Sequence, residues 1–327
     1  MSRRWLGAVV AAVLAFGTVQ TVFGEPSPGG QPRNDATWSE IVSLVKSKQP
    51  GPACQLALLH ENDGDPRIWA FLGDCLSYGQ GIEKDHRRAF EYYRKASARI
   101  PYAKYRMGLF YATGTAVPCD KDKAVELMDE AIAAGYRPSS RLIRQTHVLL
   151  RTPMAEYADP ALKLAFPSSS ATFQMRFLQR YLNSRTSGYS LRYGAPREWL
   201  DLFVYDGGLN VVPDGVSAVS AEELGKAEKA VLFGVEKGMY KNFRDRTATR
   251  KGVLPASKLE YAWFSFVYDN KPQNAEGLRS VILIFGARGK FFKIRYSGVV
   301  EKGVSPEQLP TMVADFLKHL DAALAAK

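Results

Sequence analysis

The chain has 327 residues, a formal net charge of +11, 46% hydrophobic residues and 12% aromatic residues. This length leaves room for two domains of ordinary size. The composition is that of a globular protein and excludes wholesale disorder. The positive charge is spread out, and its densest run begins at Lys226 and ends at Lys251, with eight basic and three acidic residues.

The N-terminus predicts export. Arg3 and Arg4 precede an uncharged, mostly apolar run over residues 5–24, and a Pro/Gly-rich segment follows. This order is typical of a secretory signal peptide, with cleavage expected after Gly24. An uncleaved anchor is the alternative, because the run approaches the ~20 residues that span a bilayer. We expect a periplasmic or secreted protein in which residues 1–24 are the signal peptide and residues 25–37 a disordered linker.

The next stretch repeats itself with a period of 35 residues. The shift places Pro66 on Pro101 and Leu72 on Met107. It also superimposes the small and turn residues Gly73 on Gly108, Gly79 on Gly114, Asp85 on Asp120, Ala89 on Ala124, and Ala96 on Ala131. A fixed period of this length indicates a helical solenoid. Gly73, Gly108, Ala89 and Ala124 would let neighbouring helices approach closely, and the two aspartates would cap the second helix of each unit.

Residues 66–135 resemble the Sel1-like repeat, a relative of the tetratricopeptide repeat. The resemblance is carried by Leu72-Gly73, Tyr78-Gly79-x-Gly81-Ile82, Asp85, and Ala89-x-x-Tyr92-Tyr93-x-Lys95-Ala96. The second unit keeps Gly114 but has Leu127-Met128 in place of the aromatic pair. The resemblance implies stacked helix pairs that form a surface for a protein partner. Residues 38–60 look like a degenerate pair and residues 141–150 like a capping helix, which gives a repeat domain over residues 38–150.

The chain contains three cysteines, Cys54, Cys75 and Cys119. The 35-residue shift places Cys54 at the small position of a second helix and Cys75 on the first helix of the next unit. Adjacent helices could bring these two together, and an oxidising compartment permits a disulfide. Cys54–Cys75 is therefore the preferred bridge, and three buried free thiols remain the alternative.

The second half predicts an α+β domain over residues 187–327. Residues 151–186 are expected to connect the halves, with a helix over residues 171–183. From residue 188 the period changes toward two, and the predicted element order is β-β-α-β-β-β-β-α, with an antiparallel sheet and helices on one face. One strand is expected over residues 243–251, a hairpin turn at 286–289 and a last helix from Ser305. The order and the phrase Gly188-Tyr189-Ser190-Leu191-Arg192-Tyr193 resemble the fold of the photosystem II extrinsic P-protein and its bacterial relatives, which assigns no functional residues.

The sequence offers little for chemistry. Its four histidines show no zinc-ligand spacing, and neither a nucleophile elbow nor a phosphate-binding loop is present. We therefore predict no catalytic residue, no metal and no cofactor. Trp263 and Phe264 point to opposite faces of one strand, so both sheet faces could be covered, or one could present an apolar patch.

Together these patterns favour an exported, non-enzymatic interaction scaffold. Its repeats would bind a peptide or domain of a protein partner, and the α+β domain would add a second binding surface. The basic run could contact an anionic envelope component, whereas nucleic acid is not expected for an exported chain. The alternative is a cell-envelope hydrolase or accessory factor that uses the carboxylates Asp201, Asp206 and Asp214.

Overall fold

The computed structural model describes residues 32–182, 188–269 and 277–326. The chain divides into two compact units, Met1–Leu149 and Leu150–Lys327. The predicted signal peptide lies outside the described residues. Among the helices that are described, none is both long and apolar enough to cross a membrane.

The first unit consists of helices joined by short turns. They are α1 (Pro32–Lys46), α2 (Pro50–Leu59), α3 (Pro66–Tyr78), α4 (His86–Ala96), α5 (Pro101–Thr113), α6 (Lys121–Ala133) and α7 (Ser140–Leu149). One apolar core runs through them from Trp38 on α1 to Leu127 on α6. The unit is thus an all-α helical repeat array.

Helix α1 begins earlier than the sequence predicted. The sequence predicts a linker over residues 25–37, but residues 32–37 form the first turns of this helix. Asp35 lies in the first turn, where an acidic side chain stabilises a helix. Its carboxylate also receives a 2.8 Å hydrogen bond from Arg67 of α3, so this turn is tied to the repeat core.

The second unit is built on one antiparallel sheet. Its strands pair in the order β1-β4-β5-β6-β11-β10-β9-β7, and β8 also pairs with β9. The bounds are β1 (Arg151–Pro153), β4 (Gln174–Arg180), β5 (Gly188–Ala195), β6 (Glu198–Tyr205), β7 (Lys241–Arg244), β8 (Arg250–Val253), β9 (Glu260–Asp269), β10 (Leu278–Ala287) and β11 (Lys290–Val299). A separate ribbon pairs β2 (Ala158–Asp159) with β3 (Leu164–Ala165).

Residues 151–153 and 174–180 belong to this sheet, and the helix expected over 171–183 is wrong. The stretch instead forms β4, which pairs with β1 and β5. A register shift between Met175 and Phe177 breaks the strict alternation of apolar residues. Because of that bulge, the apolar residues fall at spacings that also fit a helix.

Two helices cover the sheet, one on each face. Helix α8 (Ala218–Glu236) buries Leu224 and Val231 in one core, whereas α9 (Thr311–Ala325) buries Phe316 in the other. Trp263 and Phe264 of β9 enter different cores. The expectation of helices on a single face is therefore wrong, and the interpretation that both faces are covered is correct at this strand.

Three further boundaries differ from the sequence prediction. The single strand expected over residues 243–251 is split into β7 and β8, and Asp245, directly after β7, has a left-handed backbone (φ +52°). The last helix begins at Thr311 rather than Ser305, and the Glu301 carboxylate caps it by accepting the Thr311 N–H at 3.0 Å. The predicted hairpin is present, with Arg288 and Gly289 between Ala287 and Lys290.

Candidate functional site

The turns of the two central helix pairs, α3–α4 and α5–α6, have the same hydrogen bonds after a shift of 35 residues. In the first, the Gly79 N–H donates to Cys75 O, and in the second the Gly114 N–H donates to Phe110 O. Both glycines are left-handed, with φ of +71° and +70°. Glycine takes this conformation without the steric cost of a Cβ, which explains both positions.

The same shift relates the caps of the second helices. Asp85 accepts hydrogen bonds from the backbone N–H groups of Arg87 and Arg88. Asp120 accepts the equivalent bonds from Asp122 and Lys123. Each aspartate therefore satisfies two of the N–H groups that a helix start leaves unpaired.

Small residues lie where the helices of each pair touch. A Cβ added at Gly73 would lie 2.5 Å from Tyr93 Cε1, and one added at Gly108 would lie 2.6 Å from Met128 Cγ. Leu72, Ala89, Ala96, Ala124 and Ala131 are fully buried in the same packing. Gly73 and Gly108 are therefore close contacts with no room for a larger side chain.

A disulfide joins Cys54 of α2 to Cys75 of α3, with their Cα atoms 5.8 Å apart. It links the degenerate pair α1–α2 to the first of the two regular pairs. Cys119 is free and exposed.

The second glycine of the first turn is replaced by alanine in the second turn. Gly81 has φ +72°, and a Cβ built on it would lie 2.4 Å from the Cα of Gly51 at the start of α2. Its counterpart, 35 residues later, is Ala116, which has φ +64° in spite of its side chain. The glycine missing from the second turn is thus replaced without a change of backbone conformation.

An open cleft of about 960 Å³ lies beside these turns; we call it the turn cleft. Its apolar side chains include Leu76, Ile82 and Val117, which pack into or against the repeat core. The remaining lining residues are Leu58, Glu83, Lys84, Asp85, His86, Arg87, Arg88, Gly114, Ala116 and Pro118. Three fixed cations against two carboxylates make the cleft mildly basic, and its open shape suits a segment of chain better than an enclosed small molecule.

His86 is the one histidine among the residues that line the turn cleft. Its Nδ1 is buried with no hydrogen-bond partner, and its ring meets Phe110 edge-on at a centroid distance of 5.9 Å. Burial lowers the pKa of His86, and the nearby charge of Lys84 lowers it further. These effects favour the neutral form of the ring at the start of α4.

A buried polar cluster joins the two regular pairs, and sequence reasoning missed it. The Asp74 carboxylate of α3 accepts hydrogen bonds from the hydroxyls of Tyr93, at 2.7 Å, and Tyr102, at 2.8 Å. Arg106 of α5 lies 3.5 Å from that carboxylate and donates to Tyr78 at 2.7 Å. Burial raises the pKa of Asp74, and the Arg106 guanidinium opposes that rise.

This cluster does not line the turn cleft, but it connects the helices that carry the cleft. The side chains of Asp74 and Arg106 are only 10% and 14% exposed, and neither borders the turn cleft. A buried ion pair that is fully hydrogen-bonded fixes the relative position of the helices that carry it. The sequence does contain one indication of this cluster: a charged residue lies at a core-facing position of the first helix of each pair, Asp74 of α3 and Arg106 of α5.

The three carboxylates of the second unit have different surroundings. Asp201 makes two 2.6 Å hydrogen bonds with Arg192. Asp206 accepts from Lys290 at 2.8 Å; burial would raise its pKa, but this bond and one from the Gly208 N–H lower it. Asp214 is exposed in its turn. Within residues 32–182, 188–269 and 277–326, no cluster of three or more His, Cys, Asp or Glu side chains could hold a metal ion.

Comparisons with known proteins agree with this geometry. Residues 70–99 and 101–136 match the family model of the Sel1 repeat. These residues are Sel1 repeats. Repeats of this family generally mediate protein–protein interactions.

One solved structure that the chain matches is that of a Sel1 repeat protein from Oxalobacter formigenes. It is 22% identical, with a TM-score of 0.29, and the match covers 34% of this chain and 44% of that one. The present chain thus spans less than half of that protein's length. No curated protein matches the chain.

Proposed function

We propose that this protein is an exported, non-enzymatic scaffold whose Sel1 repeats bind a protein partner through the turn cleft. The observation that carries the proposal is the cleft itself, which lies at the turns of two consecutive repeats. Its apolar side chains would receive apolar residues of the partner, and its exposed cations, Lys84 and Arg87, would pair with acidic ones.

Two features of the structure support a scaffold rather than an enzyme. The repeat helices are held rigidly by the disulfide and by the Asp74–Arg106 cluster, and rigid surfaces bind with a lower entropic cost. In the second unit, Asp201 and Asp206 each pair with a different basic residue, whereas a glycosidase uses two carboxylates that face each other across the scissile bond.

The disulfide also supports the exported location. Disulfides form and persist in oxidising compartments and are rare in a reducing cytosol. Together with the apolar N-terminal run, it favours a periplasmic or secreted protein.

The experiment is in-cell cross-linking of the full chain, followed by affinity purification and quantitative mass spectrometry. A Lys84→Glu/Arg87→Glu variant reverses two exposed charges of the cleft, and a separate Val117→Asp variant disrupts its apolar side. We expect one cross-linked protein to be enriched by the wild type and reduced about tenfold in both variants.

The matched control is Arg99→Glu/Arg141→Glu, which changes the charge equally at exposed residues outside the cleft lining. It should retain the partner. Equal recovery of every protein by wild type and cleft variants would overturn the proposal.

A further inference from the structure

The C-terminal end of α8 exposes large apolar side chains. Leu232 and Phe233 of the helix are 42% and 55% exposed, and Met239 in the following turn is 62% exposed. We call these three residues the α8 tip. The opposite face of the same helix buries Leu224 and Val231 against the sheet, so packing in the core does not explain the apolar character of the tip.

The three side chains lie close together in sequence, at the end of α8 and in the turn that follows it. The Met239 N–H donates to Gly234 O at 2.9 Å, which folds the turn back on the last turns of α8. The Met239 side chain lies so near the helix that its Cε would be 3.1 Å from a Cβ added at Gly234. Phe233 is the residue before that glycine, and both Phe233 and Met239 are exposed at this end of the helix.

Lysines surround the α8 tip. Lys226, Lys229, Phe233 and Lys237 recur at spacings of three and four residues, which places them on one face of α8. The Lys237 ammonium lies 5.3 Å from the centre of the Phe233 ring. Lys226 is partly neutralised by Glu222 at 3.0 Å, whereas Glu236 is the one exposed acid between Lys229 and Lys241.

Lysines near a helix C-terminus are common on solvated surfaces, because their positive charge interacts favourably with the negative end of the helix dipole. That explanation accounts for the charges but leaves Phe233, Leu232 and Met239 in water. Exposed apolar residues with lysines beside them are typical of helices that lie in a membrane interface. The lysines beside these residues favour an anionic lipid surface, because basic residues close to such a surface are attracted to its phosphates.

We propose that the α8 tip docks this protein on a bilayer that contains anionic phospholipid. Phe233, Leu232 and Met239 enter the headgroup boundary, and Lys226, Lys229, Lys237 and Lys241 contact the phosphates. Because the buried face of α8 keeps its contacts with the sheet, docking needs no unfolding. Protein partner binding by the repeats and lipid binding by α8 then use different units of the chain.

Vesicle co-sedimentation of the full chain tests this proposal. The probes are vesicles of phosphatidylcholine alone and vesicles with about one third phosphatidylglycerol. We expect binding to the anionic vesicles only. A Phe233→Ser/Met239→Ser variant and a Lys229→Gln/Lys237→Gln variant should each lower the partition coefficient about tenfold.

Two matched controls keep the comparison specific. Leu59→Ser/Val148→Ser removes two apolar side chains that are 82% and 59% exposed in the repeat unit. Lys302→Gln/Lys318→Gln removes two exposed lysines of the second unit. Both should bind anionic vesicles as the wild type does, and circular dichroism should show that all four variants are folded.

The N-terminal apolar run is the same in every variant, so differences between variants report on the α8 tip. The proposal is overturned if the wild type does not bind anionic vesicles. It is also overturned if the serine variant binds as tightly as the wild type, which would mean that the run or a diffuse positive charge causes the binding. A protein partner of α8 is indicated if the vesicle results are negative but the serine variant loses a cross-linked protein.

Discussion

The two Sel1 repeats have the same backbone and different interiors. Their turns share left-handed glycines and aspartate caps at a spacing of 35 residues. In the first repeat, Tyr93 packs on Gly73 and its hydroxyl reaches Asp74. In the second, Met128 packs on Gly108, and its side chain has no hydroxyl group to reach a carboxylate. The motif therefore determines how the helices approach each other, while the side chain at the contact decides whether the interior is polar.

The junctions between neighbouring repeats differ in the same way. Gly81 of the first repeat touches Gly51, and backbone meets backbone there. The equivalent positions at the next junction are Ala116 and His86, and both line the turn cleft. The junction at Gly51 and Gly81 is thus closed by backbone contact. The junction at His86 and Ala116 carries side chains that a partner can contact.

The variant with the largest expected effect on stability is Arg106→Met. It leaves the Asp74 carboxylate buried without its cation, and losing one partner of a buried ion pair costs about 3–5 kcal/mol. We expect a loss of this size in the free energy of unfolding, measured by urea denaturation. Arg87→Met, at an exposed arginine of α4, is the control and should cost less than about 0.5 kcal/mol. Equal stability of the two variants would show that the cluster does not hold the repeats together.

Removal of the disulfide comes next. A Cys54→Ser/Cys75→Ser variant frees a loop of 21 residues, and we expect it to lose about 2–4 kcal/mol of stability. Mass spectrometry of the unreduced wild type should give a mass two hydrogens lower than that of three free thiols. Cys119→Ser, at the free cysteine, should leave the stability unchanged. A mass equal to three free thiols would contradict the pairing.

Gly73→Leu tests the first helix contact. The new side chain would collide with the Tyr93 ring, and overpacking of this kind costs about 1–3 kcal/mol. The matched control is Gly225→Leu in α8, where a Cβ would meet nothing within 4 Å. We expect a lower melting temperature for Gly73→Leu only. An unchanged value would mean that the repeat opens at this contact at little cost.

Ala116→Gly should stabilise the second repeat. The left-handed conformation costs about 1–2 kcal/mol for a residue with a Cβ, and the greater freedom of glycine in the unfolded chain returns about half of that. A net gain of about 0.5–1 kcal/mol is expected in urea denaturation. Gly81→Ala, at the equivalent residue, should do the opposite because it also strikes Gly51. A loss of stability in Ala116→Gly would contradict the strain at that turn.

The smallest expected effect is the pH dependence due to His86. Its pKa in the folded protein is lowered from 6.5, first by burial and then by Lys84. The unfolded chain therefore binds the proton at higher pH than the folded protein does. The stabilising contribution of the neutral ring is present above pH 6.5 and is lost as the pH falls through the folded-state pKa. His86→Gln should flatten the decline in stability over this window, and an unchanged slope would exclude His86 as its source.

The sequence predicted the repeats well because their signals are local. Glycines such as Gly79 report a left-handed backbone, and a cap such as Asp85 reports a helix start. The Asp74–Arg106 cluster could not be predicted in this way, because it depends on side chains of α3 and α5 that no repeat position specifies.

The sheet was predicted in its type but not in its details. The bulge of β4 between Met175 and Phe177 gives its apolar residues a helical spacing, so a strand was assigned as a helix. Trp263 and Phe264 on opposite faces of β9 left open whether both faces of the sheet are covered, and the sequence carries no information about which helix covers which face. The resemblance to the photosystem II extrinsic P-protein stays a prediction.

The free cysteine gives experimenters a position from which the turn cleft can be observed. With Cys54 and Cys75 paired, Cys119 is the remaining one of the three cysteines and is exposed, directly after Pro118 of the cleft lining. Under non-reducing conditions a thiol-reactive fluorophore would therefore attach beside the cleft without any engineered residue. Its emission would change when the cleft is occupied, so the wild-type chain can serve as its own binding sensor in a titration.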